Sequence, residues 1–228
     1  MRRTKLAAAV AVAVLACATA ALAATIPGTD GNDTLLGTSE DDDIFAVAGD
    51  DTVVGFPGDD LIDGGSGDDT ISGDGKCPLN QPYCFPPPGD PGDDRILGRS
   101  GDDKVFGNGG DDAILGKGGA DAISGGGGDD RISAGSGADV AGGGAGSDRI
   151  ASGSGADRVS GGGSRDTITP GRGRDRVRAG GGADEVFARD KTRDRIDCGR
   201  GDDEVVADRK DRTANCETIR FPDAVAVA

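Results

Sequence analysis

Gly125-Gly126-Gly127-Gly128-Asp129-Asp130-Arg131-Ile132-Ser133 is one of eighteen nine-residue units in this chain, and its pattern of turn, aspartate and aliphatic decides the fold. Outward from Asp130, aspartates recur at 121, 112, 103 and 94 in one direction and at 139, 148, 157, 166, 175 and 184 in the other. The same phase returns at 33, 42, 51, 60 and 69, and again at 194 and 203. Two positions before the aspartate stands glycine in 15 of the eighteen units, the exceptions being Glu40, Ser164 and Thr192. Two positions after it stands a branched aliphatic in 17, with Ala141 as the only break. Each unit therefore reads as a glycine-rich turn, where positive φ costs little, followed by a three-residue strand with one inward side chain. Glycine interrupts most of the array too often for a stretch to hold three helical turns, the longest run without one inside the repeats being 183–198.

Composition excludes an ordinary globular core. The 228 residues include 43 glycines but only six Phe, one Tyr and no Trp. Collagen would need glycine at every third residue, whereas these glycines keep a period of nine. The chain is a repeat array, expected to be a single continuous solenoid.

Residues 1–23 read as a secretory signal peptide, with Arg2, Arg3 and Lys5 ahead of an apolar run from Leu6 to Leu15 and an Ala21-Leu22-Ala23 cleavage site. A lipid-bearing Cys17 after Val14-Leu15-Ala16 is the competing reading. The run is shorter than the roughly 20 apolar residues that span a bilayer, so no membrane span is expected. The remainder is strongly acidic, and unevenly so. Residues 24–130 hold 24 Asp and Glu against 5 Lys and Arg, while residues 131–228 hold 17 of each. Such a balance argues against nucleic acid or anionic lipid as partner and for a cation as the counter-charge.

Four cysteines follow the leader. Two local disulfides, Cys77–Cys84 and Cys198–Cys216, are the economical assignment in an oxidising compartment, although four cysteines allow three connectivities and a zinc site competes. The step from Asp69 to Asp94 is one unit plus 16 residues. The excess falls at 76–92, which is rich in proline and reads as an extruded loop stapled by Cys77–Cys84. The expected organisation is a leader at 1–23, a repeat array at 24–207 and a C-terminal cap and tail at 208–228.

The unit at 125–133 resembles the repeats-in-toxin (RTX) nonapeptide, Gly-Gly-x-Gly-x-Asp-x-aliphatic-x, the hemolysin-type calcium-binding repeat, and the resemblance runs over roughly residues 28–207. It implies an all-β chain wound as a right-handed parallel β-roll, or β-helix solenoid, of two units per coil. Multiple Ca²⁺ ions would sit between successive turns on one edge. The implied carboxylate ligands are Asp33, Asp51, Asp60, Asp69, Asp94, Asp103, Asp112, Asp121, Asp130, Asp139, Asp148 and Asp157. Carbonyl oxygens would come from the turn glycines Gly64, Gly67, Gly98, Gly101, Gly107, Gly110, Gly116, Gly119, Gly125 and Gly128. A hard cation that takes six to eight oxygens suits such a set. Alternate aspartates should stack in two ladders, one through Asp94, Asp112, Asp130 and Asp148 and the other through Asp103, Asp121, Asp139 and Asp157, in about nine coils. Arginines beside the later aspartates, at 149, 158, 165, 174, 176, 193 and 195, are expected to neutralise some of those carboxylates.

No catalytic constellation is visible. The absence of histidine removes Ser-His and Cys-His nucleophile pairs, and the carboxylate pairs lack the sugar-stacking aromatics of a glycosidase cleft. Two readings remain: a secreted calcium-binding protein whose folding follows extracellular calcium, and a surface adhesion or matrix-binding module in which calcium is only structural. The extracellular partner stays open in both.

Overall fold

The computed structural model describes residues 12–13, 23–74 and 91–221, and every regular element among them is a strand. The strands form two parallel sheets of 11 and 12 strands, and odd and even units alternate between them. Register follows a step of two units: Ala113 pairs with Arg131, Ile114 with Ile132, and Ala122 with Val140. The chain is a β-solenoid. With strands about 4.8 Å apart, its roughly ten coils make a rod of about 48 Å. Eighteen units give nine coils. The additional turns come from Thr25–Pro27 at one end and from Arg212–Ala214 and Thr218–Arg220 at the other, which pair onto the array without carrying the repeat.

Strands before the insertion have the expected three residues, as in Thr34–Leu36 and Thr70–Ser72. From Arg95 onward most run to six, as in Arg131–Ser136. The longer strands have two inward positions after the aspartate rather than one. Asp130, Ile132 and Ala134 are buried while Arg131 and Ser133 are exposed, the two-residue alternation of an extended chain. The aliphatic column, Leu35, Ile44, Val53, Ile62 and onward to Val205, fills the space between the sheets. The next inward column admits only small side chains, with Gly98, Gly107, Gly116, Gly125, Ala134, Ala179 and Ala188 among them. Phe45 and Phe106 lie half-buried and exposed, but Phe56 is buried.

The array continues in phase across the insertion. Leu61 pairs with Arg95 and Thr70 with Lys104, and the Gly92 amide donates to the Asp74 carboxylate at 3.1 Å, which holds the two ends of the loop together. Cys77, Cys84 and nearly all of the leader lie outside the described residues. Val12–Ala13 pair in parallel with Thr34 and Leu35. Cys198 and Cys216 form a disulfide with Cα atoms 5.1 Å apart, linking one coil to the next.

Candidate metal-binding edges

Because the aspartate lies in phase with the inward aliphatic, its side chain points into the coil. All eighteen periodic aspartates are buried, none more than 3% exposed. The Asp112 backbone N–H donates to Asp130 Oδ1 at 2.9 Å, and the Asp130 N–H donates to Asp148 Oδ1 at 2.9 Å. The second ladder runs the same way, from the Asp103 amide to Asp121 and from the Asp121 amide to Asp139. At the insertion the Asp60 amide reaches Asp94 Oδ1 at 2.9 Å, so neither ladder is broken. In return, the Asp112 carbonyl accepts from the Arg131 amide of the next coil at 2.7 Å. Each carboxylate thus holds the peptide of the aspartate one coil before it.

Only one oxygen of each carboxylate is used in this way. Among the described residues, Oδ2 of Asp51, Asp60, Asp69, Asp94 and every later periodic aspartate is buried without a hydrogen-bond partner, as is Oδ1 of Asp33. Asp42 is the exception, because the Thr38 amide donates to its Oδ2 at 2.5 Å. Burial pushes the periodic carboxylates from Asp51 to Asp194 above the usual range, and neighbouring carboxylates raise several further, against the lowering effect of the amide bonds. Asp94 is pushed up to about 9, Asp60 to about 8, and Asp69, Asp112, Asp166 and Asp194 to about 7. Each orphaned oxygen is a place for a proton or a cation.

The glycines named in the sequence fall into two sets. Gly64, Gly98, Gly107, Gly116 and Gly125 face inward beneath a carboxylate, and a Cβ on Gly125 would lie 2.0 Å from Asp130 Oδ2. Gly67, Gly101, Gly110, Gly119 and Gly128 stand at the turn. At φ +138° Gly119 lies over its counterpart one coil back, where a Cβ would come within 1.7 Å of the Gly101 carbonyl oxygen. The first set makes room for the carboxylates, and the second lets a column of carbonyls stack. Among the described residues no three His, Cys, Asp or Glu side chains gather as a metal site. A cation held by these aspartates would take its remaining oxygens from the backbone, and the orphaned oxygens and glycine-lined turns fit such an ion.

A family profile described as RTX calcium-binding nonapeptide repeat (4 copies) matches residues 27–55, 46–75, 88–123, 106–141, 115–150, 142–177 and 160–190. The chain belongs to this RTX repeat family. No curated protein matches the chain. The RTX repeats account for the all-β solenoid and for calcium as the cation.

Two features of this RTX array differ from the sequence reading. Asp166, Asp175, Asp184, Asp194 and Asp203 have the same buried, half-satisfied carboxylates as the twelve aspartates named from the sequence. The arginines do not neutralise them. Arg165 pairs with Glu185, and none of the other six makes an ion pair among the described residues. Alternation is the reason, since residues directly beside an inward aspartate face outward.

A second acid column lies outside the first, at the position before the periodic aspartate. The Asp111 amide donates to Asp93 Oδ1 at 2.7 Å, and the Asp129 amide donates to Asp111 Oδ1 at 2.7 Å. These bonds run opposite in sense to the inner ladder, from the later coil to the earlier. The doubled Asp-Asp in the sequence is the signal for this column.

Proposed function

We propose that this chain is an exported calcium-binding protein whose folding is gated by Ca²⁺, with the binding itself, rather than catalysis, as its role. The observation that carries the reading is the row of buried carboxylates with one oxygen bonded and one orphaned. A buried unsatisfied polar group costs about 1–3 kcal/mol, and a charged one more. The ladder repeats that cost in every coil unless a cation or a proton meets it. Calcium, when bound, supplies the charge that keeps these carboxylates ionised inside the coil. The assigned ligands are Asp33, Asp51, Asp60, Asp69, Asp94, Asp103, Asp112, Asp121, Asp130, Asp139, Asp148 and Asp157, extended to the matching aspartates from 166 to 203. Carbonyls of the turn glycines complete each set. The leader at 1–23 would deliver the chain to a calcium-rich exterior, where the fold forms.

Far-UV circular dichroism of the mature, disulfide-intact chain, titrated with Ca²⁺ to about 10 mM, tests this. The expected result is a cooperative change from disordered to β-rich signal that Mg²⁺ does not reproduce, since Mg²⁺ demands near-octahedral geometry and dehydrates reluctantly. A full β spectrum in chelator at neutral pH would overturn it.

A further inference from the structure

One edge of the solenoid carries a charge sequence that complements its own reverse. At the outer position of successive coils on this edge stand Asp50, Asp68, Asp102, Ala120, Ala138, Ala156, Arg174 and Arg193, all exposed. The column is continuous. The Asp68, Asp102 and Ala120 amides donate to the carboxylates of Asp50, Asp68 and Asp102, and the strands that follow pair in register through Val140, Arg158, Arg176 and Arg195. Beside its basic end, Arg158, Arg176, Arg195 and Arg212 stack strand upon strand. These four, with Arg174 and Arg193, line one open cleft of about 410 Å³. Among the described residues none of the six guanidinium groups makes a hydrogen bond or ion pair.

Like charges stacked at strand spacing repel unless a counter-charge faces them. This chain contains that counter-charge, with the same spacing, at the acidic end of the same edge. We infer that this edge binds a second copy of the chain, antiparallel, about a two-fold axis between the coils of Asp121 and Asp139. The axis places Asp50 opposite Arg193, Asp68 opposite Arg174, Asp102 opposite Ala156 beside Arg158, and Ala120 opposite Ala138. Because every coil has about the same rise, a match at one rung carries along the edge. At the centre, Ala120, Ala122, Ala138 and the exposed Val140 give a low apolar surface. Each copy uses the same patch, as a closed dimer requires. Lys104 opposite Arg158 is the one like-charge meeting, with Asp102 beside it.

The other edge lacks this symmetry. Its outer column begins with Asp41 and ends with Asp202, and its one outer arginine, Arg165, is already paired with Glu185.

Sedimentation velocity of the mature chain in calcium tests the pairing, and circular dichroism of each sample separates loss of pairing from loss of fold, so the result is independent of the calcium reading. The expected mass is that of two chains at about 50 mM NaCl and of one chain at about 1 M, because exposed charge pairs are screened. Arg174→Asp with Arg193→Asp, at side chains that hold no bond within the chain, should give a monomer at low salt. Mixing this variant with Asp50→Arg/Asp68→Arg should restore a dimer at least about tenfold tighter than either variant alone forms, an effect of about 1.4 kcal/mol. A monomeric wild type at low salt overturns the inference, as does a dimer that survives the arginine reversals. A wild-type monomer that binds a sulfated polysaccharide through these arginines would make the cleft a polyanion site instead.

Discussion

The two halves of the solenoid share an inner column and differ in the outer one. In both halves the inner column is a buried aspartate ladder, with the same 2.9 Å bond from the Asp60 amide to Asp94 as from the Asp166 amide to Asp184. Outside it, the first half places mostly acids, Asp41, Asp50, Asp59, Asp68, Asp93, Asp102 and Asp111 among them, and the second places Ala138, Ser147, Ala156, Arg165, Arg174, Ala183 and Arg193 before ending in Asp202. A position that builds the coil is repeated without change, while the neighbouring position, which faces water, is free to set local charge. The imbalance between halves is therefore a property of the surface and leaves the interior uniform.

The strongest way to break this comparison is to cut the inner ladder in each half. Asp112→Ala with Asp130→Ala, and separately Asp157→Ala with Asp175→Ala, should each raise the calcium midpoint of folding by tenfold or more, or abolish the transition. Comparable losses are expected in calcium titrations. A second-half pair that leaves the midpoint unchanged would mean that the inner columns differ in function despite their shared geometry.

Acid should substitute for metal. The folded-state values of Asp94, Asp60, Asp69 and Asp112 lie above the ordinary 3.8, at about 9, 8, 7 and 7. A carboxylate of this kind favours the folded state most fully below its unfolded value and loses that contribution as pH rises through the folded one. In chelator the chain should gain β signal as pH falls from about 9 to 4, most steeply between about 8 and 6, before its remaining carboxylates titrate. A metal-free chain that loses β structure over that fall would contradict the orphaned-oxygen argument.

A smaller effect is expected at single turns. Gly119→Ala forces a Cβ against the Gly101 carbonyl at positive φ and should cost about 1–3 kcal/mol in denaturant titrations with calcium present. Gly163→Ala has no atom within 4 Å of the new Cβ and should be nearly neutral. The smallest effect belongs to the outer column. Asp111→Ala removes one exposed acceptor and should cost about 0.5–1.5 kcal/mol, whereas Arg174→Ala should cost almost nothing, since no bond within the chain is lost.

Period was legible in the sequence because the aspartate and the aliphatic two residues on repeat almost without exception, and the register of two units per coil was implied by the resemblance to the RTX repeat. The continuation across the insertion was legible for the same reason. The lengths of the later strands were not. Gly98, Gly107 and Gly116 read as turn punctuation, yet they are inward strand residues that leave room for Asp103, Asp112 and Asp121. Glycine marks both a bend and a close approach, and sequence alone does not separate them. The expected arginine–aspartate pairs failed on a related point: adjacency along an extended chain places side chains on opposite sides, so Arg158 and Asp157 never meet.

The Cys198–Cys216 bridge gives the rod a direction. A one-dimensional stack can unwind only from its ends, because every interior coil is held by two neighbours. The bridge spans 18 residues, one full coil, and so clasps the C-terminal end covalently. Under mechanical load or proteolytic attack, peeling is expected to begin at the opposite end and to run toward the clasp, with the most acidic coils released first.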